Sequence, residues 1–536
     1  MLASFLTIFS GLYLCAQSAA GGDADQTTAR GRILLVLPFD NRTGQPNLEW
    51  IREAAPEILS SRFASAGFAP MSRADRLYAL DHLGLPQGFH PSRATALKLA
   101  QTLDADSIVV GSYVDDGADI VAEAQVVDVP HLRMSTPVMA RGPMRNLISV
   151  FGTLAFKLTR QMNPGFGVSE ETFIAAGAGL HVDSFEQYIR GITEPDQAER
   201  LRHLEMAIRL SPEFGQAWMA MGREDFNGQK YEEAATAFAK VGRNDPDALE
   251  AGFFRGLSLM FSGDYPKAEQ AFAGVARVLP LAQVVNNQAV AISRQDHDGT
   301  ALFRQAVAAD PNDADYHFNL AVSLKRHGNA AEAMTELNQC LRRRPNDDEA
   351  LTLHAEWNGV VQVRAAATDA SAKTDPLERI ARSFDEVAFH QAALMLDQMD
   401  AARLETMTPA KRAQELAMRA HDYLNRGLLL EAERLYESAV AADHADAEAH
   451  AGLAEVRAQT GDSDGARNEA RLSLSLQPSA DAYIVLCRLD LAAGNLKEAG
   501  SEADAALKLA PANRTAVELR RQVDARVAQS KVGLKN

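Results

Sequence analysis

Two segments, AATAFAKVGRNDP (residues 234–246) and AEQAFAGVARVLP (residues 268–280), follow one plan that returns along much of the chain. Each begins with alanine, has phenylalanine four residues later and ends with proline. The two final prolines lie about 34 residues apart, and the series extends in both directions. Its members are Pro212, Pro246, Pro280, Pro311 and Pro345. An internal repeat of this length predicts stacked pairs of helices.

The residue types at the repeated positions suit antiparallel helix pairs. Gly222, Gly256 and Ala321 stand where two helices can approach closely only if the side chain is small. The phenylalanine fills the gap beneath the next repeat, and the proline ends the second helix. No single repeat can bury its apolar face alone, so several copies must stack.

From about Ser184 to the C-terminus, these matches resemble the tetratricopeptide-repeat (TPR) family, with about seven or eight copies in phase. One copy, which ends at Pro311, is a few residues short and has Gly299 where alanine is usual. The small polar residues after Trp357 predict a linker, and the helical pattern beyond it does not match the repeat. The predicted order is a signal peptide (1–20), an α/β domain (31–165), a first TPR array (184–363), a linker (364–376), a helical segment outside the repeat (377–407), a second array (410–511) and a C-terminal capping helix (512–536).

The N-terminal part has a different pattern, in which apolar strands alternate with helices. RILLVLPF (residues 32–39) predicts a buried strand, and residues 107–113 and 120–127 predict a strand pair. The stretch VLPFDNRTGQPNLEWI (residues 36–51) resembles the opening of TolB-type and curli-secretion-type envelope domains, which implies an envelope accessory module. The predicted fold class is therefore an α/β domain followed by an all-α TPR solenoid, mainly helical overall.

The first fourteen residues are apolar and uncharged, and small residues follow, which predicts a cleaved export signal and a periplasmic or secreted protein. A lipid anchor at Cys15 is the minority alternative, because Leu14 is not the small residue expected before a lipidated cysteine. No transmembrane helix is expected in the mature chain. Cys340 and Cys487 fall on repeat positions that predict core packing.

The composition excludes some classes of function. A formal net charge of -17 argues against binding to nucleic acid, which requires a basic surface. No zinc-protease, phosphate-loop, nucleophile-elbow or paired-cysteine motif is present, so no enzyme activity, cofactor or metal is predicted. His444 and His450 lie in a polar turn between repeats and are interpreted as solvated.

The predicted partner site is the concave groove formed by the first helices of successive repeats. Apolar, amide and basic side chains in such a groove can hold a protein or peptide. The residues assigned to it by helical phase are Arg223, Phe253, Met260, Asn286, Arg294, Phe318, Asn319 and Lys325. The sequence thus favours a non-enzymatic scaffold of envelope assembly or secretion. The alternative is a regulatory module with a small-molecule or glycan ligand at the α/β domain.

Overall fold

The computed structural model describes residues 33–86, 93–175, 179–359, 376–384 and 386–533. The predicted signal peptide, Cys15 and nearly all of the linker 364–376 lie outside these residues. The chain divides into two compact units, one ending at Phe166 and the other beginning at Gly167. No helix among the described residues is long and apolar enough to cross a membrane.

The N-terminal unit is a mixed sheet with helices packed on it. Its strands are β1 (Ile33–Val36), β2 (Asp40–Asn41), β3 (Ala69–Pro70), β4 (Ser107–Asp115), β5 (Ile120–Asp128), β6 (Arg133–Met134) and β7 (Val138–Gly142). Its helices are α1 (Ile51–Ser65), α2 (Arg73–His82), α3 (Arg93–Thr102) and α4 (Leu147–Met162). The strand order is β3-β1-β4-β5-β6, with β2 beside β4 and β7 beside β5. The predicted α/β pattern is confirmed, although the sequence did not indicate β6 and β7.

The centre of this sheet is closely packed. Leu35 and Ile108 pack with α2 and α3, and the ring of Phe39 meets Phe151 of α4 at 5.6 Å between centroids. A side chain at Gly111 would place its Cβ 2.3 Å from the Phe39 ring, so glycine is required in β4 at this crossing. Leu34, Leu35 and Val36 of β1 are buried as predicted, whereas Ile33 at its start is 38% exposed.

The second unit begins with a short helix, α5 (Glu170–Ala175), and continues as helix pairs. The first array contains α6 (Val182–Thr193), α7 (Gln197–Leu210), α8 (Gly215–Asn227), α9 (Tyr231–Phe238), α10 (Ala248–Phe261), α11 (Tyr265–Val278), α12 (Ala282–Ser293), α13 (Thr300–Ala309), α14 (Ala314–Arg326), α15 (Ala330–Arg343) and α16 (Asp348–Trp357). After α17 (Glu386–Glu405), the second array contains α18 (Pro409–Asn425), α19 (Leu429–Ala442), α20 (Ala447–Thr460), α21 (Ser463–Leu476), α22 (Ala480–Ala493), α23 (Leu496–Leu509) and α24 (Arg514–Gly533).

The small positions predicted from the sequence are where the paired helices touch. A Cβ at Gly256 would lie 2.5 Å from the ring of Phe272 on the partner helix. Ala268 and Phe272 are both fully buried. The thiol of Cys340 is buried as predicted, and this burial raises its pKa to about 11.

One predicted element is wrong in its extent. The segment 377–407 does not begin as a helix, because residues 376–384 form neither helix nor strand and α17 starts only at Glu386. Backbone groups that an isolated helix would pair internally are bound here by side chains of the first array. Tertiary contacts therefore override the local helical pattern.

Candidate functional site: the groove of the first array

Residues 376–384, here called the inserted segment, run along the first helices of the first array. Side chains of α10, α12, α14 and α16 contact them. The segment contains the residues PLERIARSF. A stretch of this chain therefore lies on the surface that the sequence assigns to a partner.

Asparagine amides bind the backbone of the inserted segment. Arg379 donates its N–H to Oδ1 of Asn319 at 2.6 Å and accepts from Nδ2 of the same amide at 2.8 Å. Two residues later, Ala381 makes the same pair of bonds with Asn287, at 2.9 and 2.8 Å. Nδ2 of Asn286 donates to the Arg379 carbonyl at 3.1 Å. Because these bonds are made to the backbone, they do not depend on which side chains the segment carries. Residues 379 and 381 can make equivalent bonds because alternate residues of an extended chain face the same way.

A buried carboxylate fixes the position of the inserted segment. The side chain of Glu378 is only 1% exposed and accepts from Nη1 of Arg326 at 2.5 Å. The Ser293 hydroxyl also donates to it, and Arg294 donates to the Glu378 carbonyl at 3.1 Å. An unpaired carboxylate at this depth would cost several kcal/mol. The groove is thus built to accept an acidic side chain at this point.

A cation site follows immediately. The guanidinium of Arg379 binds both carboxylate oxygens of Asp347 at 2.7 Å and Asp315 at 2.7 Å, and it reaches Glu349 at 3.0 Å. It also lies over the ring of Phe318. The hydrogen bond from Arg379 lowers the pKa of Asp347 to about 2. Burial would lower the pKa of Arg379 itself, but its carboxylate partners outweigh burial and raise it. The pair therefore stays ionised across the physiological pH range.

The C-terminal end of the inserted segment is apolar. Ile380 and Phe384 pack on the hydrophobic core of the first array. The Phe384 ring lies 5.5 Å from the Phe253 ring, centroid to centroid. Arg382, which is exposed, lies 5.7 Å from the ring of Phe261. Backbone, charge and apolar contacts thus all hold this stretch in place.

The structure brings five of the eight predicted groove residues to the inserted segment. They are Phe253, Asn286, Arg294, Phe318 and Asn319. The other three have different partners: Arg223 pairs with Glu250, Met260 is buried in the core, and Lys325 lies 5.3 Å from the ring of Trp357. Their assignment to a partner site stays a prediction.

Several residues that hold the segment were not predicted from the sequence. They are Asn287, Ser293, Asp315, Arg326, Asp347 and Glu349. One feature of the sequence could have indicated them, namely the order of charges in PLERIARSF. Its acidic residue complements basic groups of the groove, and the basic residue that follows complements acidic groups.

A second groove is formed by the first helices of the second array. It is a cavity of 560 Å³ formed by α18, α20, α22 and the start of α24. Its acidic side chains are Glu448, Glu455 and Asp481, and Arg488 pairs with Glu455 at 2.7 Å. No group of three or more potential metal ligands occurs among the described residues.

A shared cation stabilises the second array. Arg457 binds Glu433 at 2.9 Å, Glu437 at 2.8 Å and Glu469 at 3.1 Å. Burial raises the pKa of Glu437 to about 7, since the opposing effect of Arg457 is smaller and repulsion by Glu433 and Glu469 adds to the rise. His450 is 5% exposed and bound to Glu469 at 2.6 Å, so its interpretation as solvated is wrong. That hydrogen bond raises the pKa of His450.

Comparison with known families identifies the helical unit. Profiles of tetratricopeptide repeats match residues 219–280, 297–356 and 417–481. These three stretches of the solenoid are tetratricopeptide repeats. The repeats predicted from the sequence are therefore confirmed, and such repeats bind proteins or peptides.

Several solved structures are similar to parts of the chain. MamA from Desulfovibrio magneticus RS-1 is 22% identical, with 30% of this chain and 92% of that chain covered and a TM-score of 0.27. YrrB, described as a TPR protein with an unusual peptide-binding site, is 16% identical, with 38% and 98% covered and a TM-score of 0.28. The C-terminal domain of LpoB from Escherichia coli is 24% identical, with 23% and 87% covered and a TM-score of 0.19. A search of curated proteins gave no significant match.

Proposed function

We propose that this chain is a non-enzymatic scaffold whose TPR solenoid holds an extended segment of a partner protein. The apolar N-terminus supports export to the periplasm or beyond, and with it a role in envelope assembly or secretion. The α/β unit, whose opening resembles TolB-type and curli-secretion-type domains, would then dock to a second envelope component.

The inserted segment is the observation that carries this proposal. The first groove binds an extended peptide through its backbone, a carboxylate, a guanidinium and an aromatic ring. The peptide it holds belongs to the same chain and is tethered on both sides, so it has a high effective concentration. A partner segment for this groove must compete with it, and the partner must offer a similar order of side chains.

Binding of the isolated segment in trans tests the proposal. The probe is a fluorescein-labelled synthetic peptide, PLERIARSF, added to the full-length chain and followed by fluorescence anisotropy. In a chain carrying Glu378→Ala and Arg379→Ala, the weakened internal segment should let the probe bind more tightly than it binds to the wild type. Adding Asn286→Ala and Asn319→Ala to that chain should then reduce binding about tenfold or more, because several backbone hydrogen bonds are lost.

Two results would count against the proposal. Either the probe fails to bind the weakened chain, or it binds equally well without the two asparagines. Export has its own test, which is the mass of the mature chain recovered from cells. An intact N-terminus would contradict signal cleavage.

A further inference from the structure

The second groove repeats the register of the first. His317 and His450 each occupy the fourth position of their helices, α14 and α20. Each bonds at 2.6 Å to a glutamate of the following helix, Glu336 or Glu469. The other ring nitrogen of each contacts the carbonyl of the residue six positions earlier, at 3.1 and 3.2 Å. Positions in the two helices can therefore be compared one by one.

This register places carboxylates of the second groove at two of the three positions that hold a cation in the first, while Asp347, at the N-cap of α16, corresponds to Ser479 at the N-cap of α22. Asp315 and Glu349 are the second residues of α14 and α16, and both bind the Arg379 guanidinium. The second residues of α20 and α22 are Glu448 and Asp481, and both line the 560 Å³ cavity. Both are exposed, and neither forms an ion pair with another described residue.

The second groove also has more room than the first. The fifth and sixth positions of α14 are Phe318 and Asn319. The Phe318 ring lies under the Arg379 guanidinium, and the Asn319 amide binds the Arg379 backbone. In α20, these positions are Ala451 and Gly452. The loss of these larger side chains leaves space beside the two carboxylates.

The hydroxyl of a mostly buried tyrosine borders this space. Tyr436 is 2% exposed and lines the cavity, and its hydroxyl has no hydrogen-bond partner among the described residues. Gly452 corresponds in position to Asn319 of the first array. A Cβ at Gly452 would lie 2.5 Å from the Tyr436 hydroxyl, so the phenol occupies space that the Asn319 side chain fills in the first array. Burial, followed by the charges of Glu448 and Asp481, raises the pKa of Tyr436, so its O–H remains a donor.

We infer that the second groove binds an extended segment of a partner protein and places an arginine side chain of that segment between Glu448 and Asp481. The Tyr436 hydroxyl donates to the bound backbone in place of the Asn319 amide. Glu455 is already paired with Arg488, so two carboxylates remain for one incoming guanidinium. The inference rests on the proposed function and names the chemistry of a partner at a groove that no described segment of this chain fills.

A positional-scanning library of nine-residue peptides tests the inference on the full-length chain. Each pool fixes one residue type at one position and randomises the others. The wild type should enrich arginine at a central position, and Glu448→Gln with Asp481→Asn should abolish that enrichment. A single peptide taken from the best pool should lose about tenfold or more in affinity when its arginine is replaced by citrulline, which has the same shape without the charge. The Glu498→Gln, Asp464→Asn chain is the matched control, because it removes two charges from exposed sites on second helices and should keep the enrichment.

Failure of this inference can be told apart from failure of the proposed function. Peptides that bind without arginine enrichment, or an enrichment that survives Glu448→Gln with Asp481→Asn, would overturn the assignment and leave the scaffold standing. If PLERIARSF also fails to bind the weakened chain in trans, both proposals fall. Circular dichroism melts of each variant confirm that its fold is retained.

Discussion

The guanidinium carbon of Arg379 lies 3.7 Å from the centre of the Phe318 ring, at the midpoint of the first groove. The ring is fully buried, and the guanidinium covers its face while Asp347 binds the guanidinium edge. Because the two residues come from distant parts of the chain, this contact ties the extended segment to the solenoid. Its strength determines how easily a partner could replace the segment.

Arg326 and Lys325, which are neighbours on α14, should differ sharply in how much each stabilises the inserted segment in the groove. Arg326→Ala removes the closest cation of buried Glu378, whereas Lys325→Ala removes only a contact with Trp357. Trypsin cleavage after Arg379 should accelerate about tenfold or more in the first variant, since cleavage follows the population of the open state. Mass spectrometry of the fragments measures the rate. Equal rates in the two variants would show that Glu378 does not fix the segment.

Lysine at position 379 should hold the inserted segment less firmly than arginine does. Arg379→Lys keeps the positive charge but loses the paired contact with both oxygens of Asp347. Hydrogen exchange of the Arg379 and Ala381 amides should become faster, by about fivefold to tenfold. Arg382→Lys, at an exposed position of the same segment, should leave exchange unchanged. Unaltered protection in Arg379→Lys would mean that charge alone is sufficient at this site.

The packing of the repeats predicts a large effect at one small residue. Ala268→Trp forces an indole into a fully buried helix crossing and should lower the free energy of unfolding by about 3 kcal/mol. Val278→Trp, at a 63% exposed site on the same helix, should change it by less than about 0.5 kcal/mol. Urea unfolding followed by circular dichroism compares the two. A tolerated tryptophan at 268 would contradict the register of the repeats.

The charge cluster around Arg457 predicts a pH dependence of stability. Glu437 has a pKa of about 7 in the folded chain and an ordinary value of 4.5, so between these values the folded state binds more protons than the unfolded state. The free energy of unfolding of the wild type should therefore fall as the pH rises from 5 to 8. In Glu437→Gln this fall should be smaller, by on the order of 1 kcal/mol.

The control for this prediction is Glu431→Gln, which removes a carboxylate from the first turn of the same helix. Thermal melts at pH 5, 6, 7 and 8 give the comparison. Parallel curves for wild type and Glu437→Gln would show that Glu437 does not take up a proton on folding.

The sequence by itself determined the repeats and the mixed character of the N-terminal unit. The pairing of Gly256 with Phe272 and the burial of Ala268 and Cys340 follow from a pattern of small and aromatic residues within one repeat. Such contacts are local, because the partners belong to adjacent helices. Residues that recur with the repeat period therefore contact each other in the folded structure.

Only the tertiary structure decided what lies in the first groove. Asn286 and Arg379 are 93 residues apart, and no periodic signal links them. The residues around Arg379 read as part of a helix, yet groove amides satisfy their backbone and keep them extended. Pairing across such distances depends on how the whole array closes around the segment, which local propensity does not encode.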